Sequence, residues 1–252
     1  LVEDSAFFVA PRGFDAAVEE LVAKLKPGTV RYNCRAENLR VGEDMAHVVD
    51  VSERLGHNSF RTESVTCDAV FVCIPPSQCM HWTAFSAHAR SVMHAVKPGE
   101  LHHVYVKDAA FPPGVHWKDS SSLLGQSISS QYGNEWFQAS YSGGRIAWFW
   151  QHMLLMSPRT FRRLLFRSLQ RLWRGAVDFD HGAEVRSHFW PVAFHRWRAV
   201  PRFCLEKAVR LAVRPSPWCL PGVYLAGEAF SSFQAWMEGA LQTSNKLFTE
   251  HF

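Results

Sequence analysis

The run CDAVFVCI, Cys67 to Ile74, constrains the fold of this chain more than any other feature. It is almost continuously apolar and ends at Pro75-Pro76. A strand with one solvated face alternates apolar and polar residues, whereas a parallel strand buried on both faces is apolar throughout. A second short apolar strand, VYLA at 223–226, lies near the C-terminus and leads through Gly-Glu into a helix. We therefore interpret the two ends of the chain as parts of one α/β layer.

The first part of the chain also alternates strand and helix signals. Residues 14–25, FDAAVEELVAKL, place apolar side chains on one helical face, and Pro27-Gly28 ends that helix. A hairpin is predicted around Gly42-Glu43-Asp44. The predicted strands are residues 6–10, 29–33, 39–41 and 46–52.

The middle of the chain predicts an antiparallel sheet with helices. Aromatic-rich strands are expected at 101–108, 135–141 and 145–151, and the last two flank a turn at Ser142-Gly143-Gly144. Residues 157–175 form the clearest predicted helix, with Ser157 as its cap and a proline in its first turn. This α+β segment is inserted between the two α/β parts, so the predicted class is α/β with an inserted mixed or antiparallel sheet.

Composition excludes several classes of protein. Hydrophobic residues make up 47% and charged residues 20% of 252, which is typical of a globular chain. A net charge of +4 is too small to indicate nucleic-acid binding by the whole molecule. Six cysteines form no CxxC pair and 13 histidines lack metal spacing, so we expect reduced thiols and no metal site. No apolar run spans a bilayer; the compartment is unknown, with a soluble intracellular or organellar protein favoured.

Four stretches together resemble one known family. They are VAPRGFDAAVEELVAKL, TVRYNCRAENL, CDAVFVCIPPS and PGVYLAGEAFSSFQAWMEGAL. In this order they resemble the flavin-containing amine oxidase family, which includes monoamine oxidases, polyamine oxidases and L-amino-acid oxidases. The last stretch is the most specific, because a strand, Ala-Gly-Glu, a loop and Met-Glu-Gly-Ala follow one another as in the family's C-terminal flavin motif.

The resemblance implies a Rossmann-like FAD-binding domain with an inserted substrate domain. The boundaries would be 1–78 for the first part of the FAD domain, 79–185 for the α+β substrate domain and 186–252 for the return to the FAD domain. It implies FAD as cofactor and oxidation of an amine or L-amino acid: a hydride passes to flavin N5, the imine hydrolyses and dioxygen gives hydrogen peroxide.

One part of the family pattern is missing. The family opens with GxGxxG, whose amides hold the FAD pyrophosphate, and none of the 15 glycines here forms that motif. We therefore expect a second chain to supply the dinucleotide-binding segment in a heteromeric complex. The alternative is a non-catalytic amine-oxidase-like subunit that serves as a structural part of a large multi-protein or ribonucleoprotein assembly.

The resemblance also assigns roles to individual residues. A reduced flavin is negative at its pyrimidine edge, where the family places a helix start, and a helix N-terminus favours negative charge. Trp236 and Trp197 would form an aromatic cage for the substrate, although both could equally be core tryptophans. The cofactor-contacting residues implied are Ala36, Trp190, Gly227, Glu228, Ala235, Trp236 and Met237, with Glu228 near the ribityl chain and Ala36 near the adenine.

Two features of the sequence depart from the pattern of the amine oxidase family. The family's lysine, which holds a water near the flavin, falls on His103 or its neighbour His102, and only one of these can face the flavin because strand side chains alternate. His103 is our candidate catalytic residue, and a histidine strand position of a non-catalytic copy is the open alternative. The helix at 157–174 carries six arginines and no acidic residue, which indicates a solvated face or a docking face for an acidic protein, an anionic membrane or RNA.

Overall fold

The computed structural model of the chain falls into two compact units, residues Leu1–Cys67 and Asp68–Phe252. None of the helices in the described part is long and apolar enough to cross a membrane. The residues that the structure describes are 15–107, 117–119, 123–128, 136–173, 182–198, 205–206, 209–210 and 221–251.

The first unit contains one helix and an antiparallel sheet. The predicted hairpin is confirmed, since β1 and β2 pair antiparallel around a short 3₁₀ turn at Glu43–Met45. The predicted strand at 29–33 is wrong: Gly28 and Asn33 both have positive φ, so the chain turns there before the first strand begins. The predicted strand at 6–10 lies outside the described residues. The elements are α1 (Asp15–Ala23), β1 (Cys34–Val41), β2 (His47–Arg54) and β3 (Phe60–Cys67), in sheet order β1-β2-β3.

The second unit joins distant parts of the chain in a parallel pair. β4 (Val70–Val72) pairs in parallel with β10 (Val223–Leu225), which confirms that the two apolar runs belong to one layer. β10 is buried along its whole length. In β4 only Val72 is buried, and Phe71 is exposed. The prediction that this strand is buried on both faces is therefore wrong for the chain taken alone.

A five-stranded antiparallel sheet lies in sequence between those two strands. Its central strand β5 pairs with β8 on one side and with β9 on the other. The observed α/β class with an inserted antiparallel sheet is the class that the sequence predicts. The strands are β5 (Val96–Lys107), β6 (Trp117–Asp119), β7 (Gln126–Ile128), β8 (Trp136–Gly143) and β9 (Val185–Trp197), in the order β6-β7-β8-β5-β9.

One predicted strand is a helix. Residues 145–151 belong to α4 (Gly144–Met156), and the predicted turn is where β8 ends and α4 begins. Gly144, with φ +57, redirects the chain there. Ala147 and Trp150 are buried three residues apart, which is helical spacing. The other helices are α2 (Pro76–Cys79), α3 (Ala87–His94), α5 (Pro158–Leu172) and α6 (Met237–His251).

The main core forms where α4 and α5 cover one face of the five-stranded sheet. The predicted cap of α5 is confirmed, because the Thr160 amide donates to Ser157 Oγ at 3.3 Å. The Trp150 indole donates to the Leu123 carbonyl at 2.6 Å, so this buried ring is also satisfied as a hydrogen-bond donor. The core residues are Val104, Val106, Leu124, Phe137, Ala139, Trp150, Phe161, Leu165, Phe166, Leu169, Trp173 and Ala183.

Truncation of Phe161 should destabilise the second unit strongly. Its ring is 1% exposed and meets the Trp150 ring edge-to-face at 5.3 Å. Loss of a buried phenylalanine leaves a cavity and costs about 3–5 kcal/mol. We expect Phe161→Ala to lower the free energy of unfolding in urea by that amount. Phe60→Ala, at a ring that is 61% exposed, is the control, and equal losses in both variants would contradict this core.

Candidate functional site

One face of the five-stranded sheet carries a cluster of histidine and aromatic side chains. His103 on β5 lies directly opposite Tyr141 on β8 and His188 on β9. Directly paired residues share a sheet face, so their side chains meet. The His103 ring lies 4.6 Å from Tyr141 and 4.7 Å from Trp190, measured between centroids, and Trp190 lies 4.0 Å from His188. With Tyr105, whose hydroxyl is 3.2 Å from His103 Nδ1, these residues form what we call the histidine–aromatic cluster.

His102 points to the opposite face of the sheet. Its side chain is fully buried, and its ring packs near Phe161 at 6.4 Å and Phe189 at 6.2 Å. Phe161 belongs to the core under α4 and α5. Of the two neighbouring histidines, His103 is therefore the one on the open side of the sheet.

The imidazole of His103 is uncharged near neutral pH. Burial, with a smaller effect from the charge that His188 can carry, lowers the pKa of His103 to about 4. Burial, with the Tyr141 charge, also raises the pKa of Tyr105. His103 Nε2 is buried and has no hydrogen-bond partner among the described residues. A neutral imidazole with one unengaged nitrogen can hold a water or accept a proton.

A second group of residues shapes the end of the chain, where β10 leads into the segment 226–236 that we call the closing loop. Gly227 has φ +115, and its amide donates to Thr243 Oγ1 of α6 at 2.9 Å. A side chain at Gly239 would overlap the Phe233 carbonyl and Ser231 Oγ. The two glycines therefore allow the loop to fold closely against the start of α6.

Glu228 fixes the closing loop to the five-stranded sheet. Its Oε1 lies 2.5 Å from His195 Nδ1 on β9, and its Oε2 accepts the Ala235 amide at 2.7 Å. Burial pushes the pKa of Glu228 upward, but the hydrogen bonds from His195 and Ala235 and the His195 charge outweigh it and hold that pKa below its ordinary value. Ala235 has φ +72, and the Glu228 contact holds it in that left-handed conformation.

Trp197, two residues beyond His195, makes further bonds to the same loop. Its backbone amide donates to Gln234 Oε1 at 2.6 Å, and its indole donates to the Ser231 carbonyl at 2.9 Å. Trp236, the last residue of the closing loop, and Met237, the first residue of α6, are 69% and 71% exposed. β9 thus contributes to both groups, with Trp190 in the cluster and Trp197 on the closing loop.

The structure divides the predicted site residues among three places. Trp190 lies beside His103, whereas Trp197 and residues 227–237 form the closing loop and its surroundings. Ala36 lies in the first unit, at an irregular point of β1. No set of metal ligands occurs in the described part of the chain. Cys34, Cys67, Cys73 and Cys79 are free thiols, and the other two cysteines lie outside the described residues.

The sequence interpretation missed four residues of these groups. Tyr105 follows His103 by two positions, and His188 precedes Trp190 by two positions. Residues two apart on a strand share a face, so this spacing could have indicated both. Tyr141 and His195 have no local signal, since each reaches its partner through strand pairing or a contact between distant segments.

Removal of the Glu228 charge should make stability less dependent on pH in the acidic range. A carboxyl whose pKa is lowered by folding stabilises the fold above its ordinary value of 4.5, and this contribution is lost as the pH falls through the folded pKa. We expect wild type to be more stable than Glu228→Gln at pH 7 and the margin to shrink below pH 4.5. Urea unfolding at several pH values measures this, with Glu19→Gln on the exposed face of α1 as control. A margin that is constant with pH would contradict the assigned interaction.

Comparison with known proteins places the chain in a family. The profile of the family described as flavin containing amine oxidoreductase matches residues 3–246. Among solved structures, the chain is similar to a protein described as a protoporphyrinogen oxidase from Exiguobacterium sp. 255-15, with a TM-score of 0.64 and 11% identity over 94% of this chain and 51% of that one. The chain thus spans about half the length of that protein. A search of curated proteins finds no match. By its match to the family profile over nearly its whole length, the chain belongs to the flavin-containing amine oxidoreductases.

Proposed function

We propose that this chain is a subunit of an FAD-dependent oxidase of an amine or L-amino acid. The observation that carries the proposal is the buried, unpartnered Nε2 of His103 within a wall of aromatic rings. In a protein of this family, such a group is suited to the amine end of a substrate.

The family makes a flavin, FAD, the cofactor of the chain. The start of α6 suits this group, because the first amides of a helix have no intrahelical partner and favour negative charge. Trp236 and the first residues of α6, Met237 and Glu238, are exposed. Gly227 and Gly239 allow the closing loop to lie close to the helix. These residues would hold the pyrimidine edge and flank the ring. When bound, the flavin supplies the acceptor for the hydride equivalent that leaves the carbon bearing the amine.

The residues of the histidine–aromatic cluster would prepare the substrate. If His103 Nδ1–H donates to the Tyr105 oxygen, then Nε2 presents its lone pair, which can hold a water or accept a hydrogen bond from the substrate amine. Tyr141 and Trp190 would align an apolar or aromatic amine by stacking and exclude water. Trp236 and Trp197 would complete the cage, with Trp197 held in place by its bond to the closing loop.

A second chain completing the FAD site is part of the proposal. Its support is a group of large apolar side chains exposed beside α6. They are Phe233, Trp236, Met237 and Leu241, exposed by 59% to 71%. Such a patch is typical of an interface. The FAD domain would comprise residues 1–78 and 186–252 of this chain plus that partner segment, with 79–185 as the substrate domain.

A second candidate function comes from another class: a non-catalytic structural subunit of a large multi-protein or ribonucleoprotein assembly. It is favoured by one observation, that the position of the family's lysine holds a histidine whose pKa is about 4 and which is therefore a weak base.

A visible spectrum separates the two candidates. The chain, purified with everything that accompanies it, is expected to show the near-ultraviolet and blue bands of oxidised flavin. Release of the chromophore by denaturation and its identification as FAD complete the test. An intact complex without these bands would exclude the oxidase and support the structural subunit.

Substitution in the cluster tests the catalytic assignment separately from the cofactor. We expect His103→Ala and Trp236→Ala each to reduce peroxide formation by about 10²-fold or more, the usual contribution of a general base or of substrate alignment. His152→Ala, at an exposed histidine of α4, is the control. Turnover unchanged in both variants, with flavin still bound, would remove the site assignment and leave the cofactor.

A further inference from the structure

The helices α4 and α5 carry an unusual surface on the side away from the sheet. Both pack on the same sheet face through Trp150, Phe161 and Leu165, so their exposed sides form one outer layer. Residues 144–172 contain six arginines and no aspartate or glutamate. This outer layer of the α4–α5 pair takes no part in the site described above.

Four arginines form a slanted stripe along α5. Arg159, Arg163, Arg167 and Arg171 are exposed and four residues apart, so they lie on one helical face over roughly 18 Å. None of the four forms an ion pair within the described ranges of the chain. Arginines of the first unit differ, since Arg31, before β1, pairs with Glu63 on β3, and Arg61 on β3 pairs with Glu53 on β2.

Large apolar side chains adjoin the arginine stripe. Leu155 and Met156, where α4 meets α5, are 70% and 82% exposed. Trp148 of α4 does not belong to this surface, because its ring packs on Phe189 of β9 at 4.6 Å. A helix pair that presents Leu and Met beside the arginine stripe is amphipathic along its outer surface.

We propose that the outer layer of the α4–α5 pair docks on a membrane surface that contains anionic phospholipid. The arginine stripe would contact headgroup phosphates, and Leu155 and Met156 would enter the boundary with the acyl chains. This proposal goes beyond the oxidase function and does not depend on it.

The chemistry of the surface favours lipid over the other anionic partners. Single-stranded RNA is held by aromatic side chains interleaved with the basic ones, and the exposed face of α5 has none. An acidic protein would pair with the arginines but would not account for the exposed Leu155 and Met156 beside them. A row of positive charges next to apolar side chains matches a lipid surface, where phosphates lie above hydrocarbon.

Vesicle binding of the full chain tests the proposal. We expect co-sedimentation with vesicles of phosphatidylcholine mixed with phosphatidylglycerol, and little with phosphatidylcholine alone. Arg163→Gln with Arg167→Gln should reduce partitioning about 25-fold, roughly fivefold for each arginine. Binding should also weaken towards 1 M salt, where the Debye length is about 3 Å.

Two further variants separate this surface from general charge and from misfolding. The double variant Lys97→Gln with Arg196→Gln removes two positive charges, as many as the stripe variant, from exposed positions on β5 and β9. This variant should bind vesicles as wild type does. Leu155→Ser with Met156→Ser should weaken binding while the salt dependence persists. Equal loss in both charge variants, or no binding to anionic vesicles, would overturn the proposal. Binding of a short single-stranded RNA through the arginine stripe, without vesicle binding, would overturn it in favour of RNA.

Discussion

The carboxylate of Glu228 is the contact on which the arrangement of the second unit depends. It accepts one hydrogen bond from His195 on β9 and one from the amide of Ala235 in the closing loop. The first bond reaches the edge strand of the five-stranded sheet, and the second holds a backbone that is itself in a left-handed conformation. Hydrogen bonds to an ionised carboxylate are stronger than hydrogen bonds to a neutral acceptor. The two bonds of Glu228 therefore fix the start of α6 relative to the sheet.

β9 extends that constraint to the histidine–aromatic cluster. The strand carries His188 and Trp190 in the cluster, then changes register between residues 190 and 194, opposite Gly99 and Leu101 of β5. Pro191 lies in this irregular stretch, where its missing N–H breaks no ladder bond. This register change lies between the part of β9 that carries Trp190 and the part that carries His195, so it sets the orientation of one part relative to the other.

Local patterns in the sequence were sufficient for some of these features. The cap and apolar stripe of α5 and the β1–β2 hairpin are set by residues close in sequence. The apolar runs of β4 and β10 are also local patterns, although their parallel pairing joins distant parts of the chain. α4 was not predictable, because its aromatic residues at 148–150 are consecutive and form a short apolar run that is also typical of a buried strand. The burial of Ala147 and Trp150, three residues apart, shows the helical spacing only once the structure is known. The alternation of His102 and His103 was predictable, but the side that α5 covers is decided by packing. The pairing of His195 with Glu228 joins segments 33 residues apart and leaves no local pattern.

The two faces of the five-stranded sheet separate the chemistry from the proposed membrane contact. His102 and Val104 point into the core beneath α4 and α5, whereas His103 and Tyr105 point to the open face. A membrane bound by the outer layer of the α4–α5 pair would therefore lie on the far side of the helices from His103. Because strand alternation enforces this separation, substitutions in the arginine stripe can change membrane binding without touching the cluster.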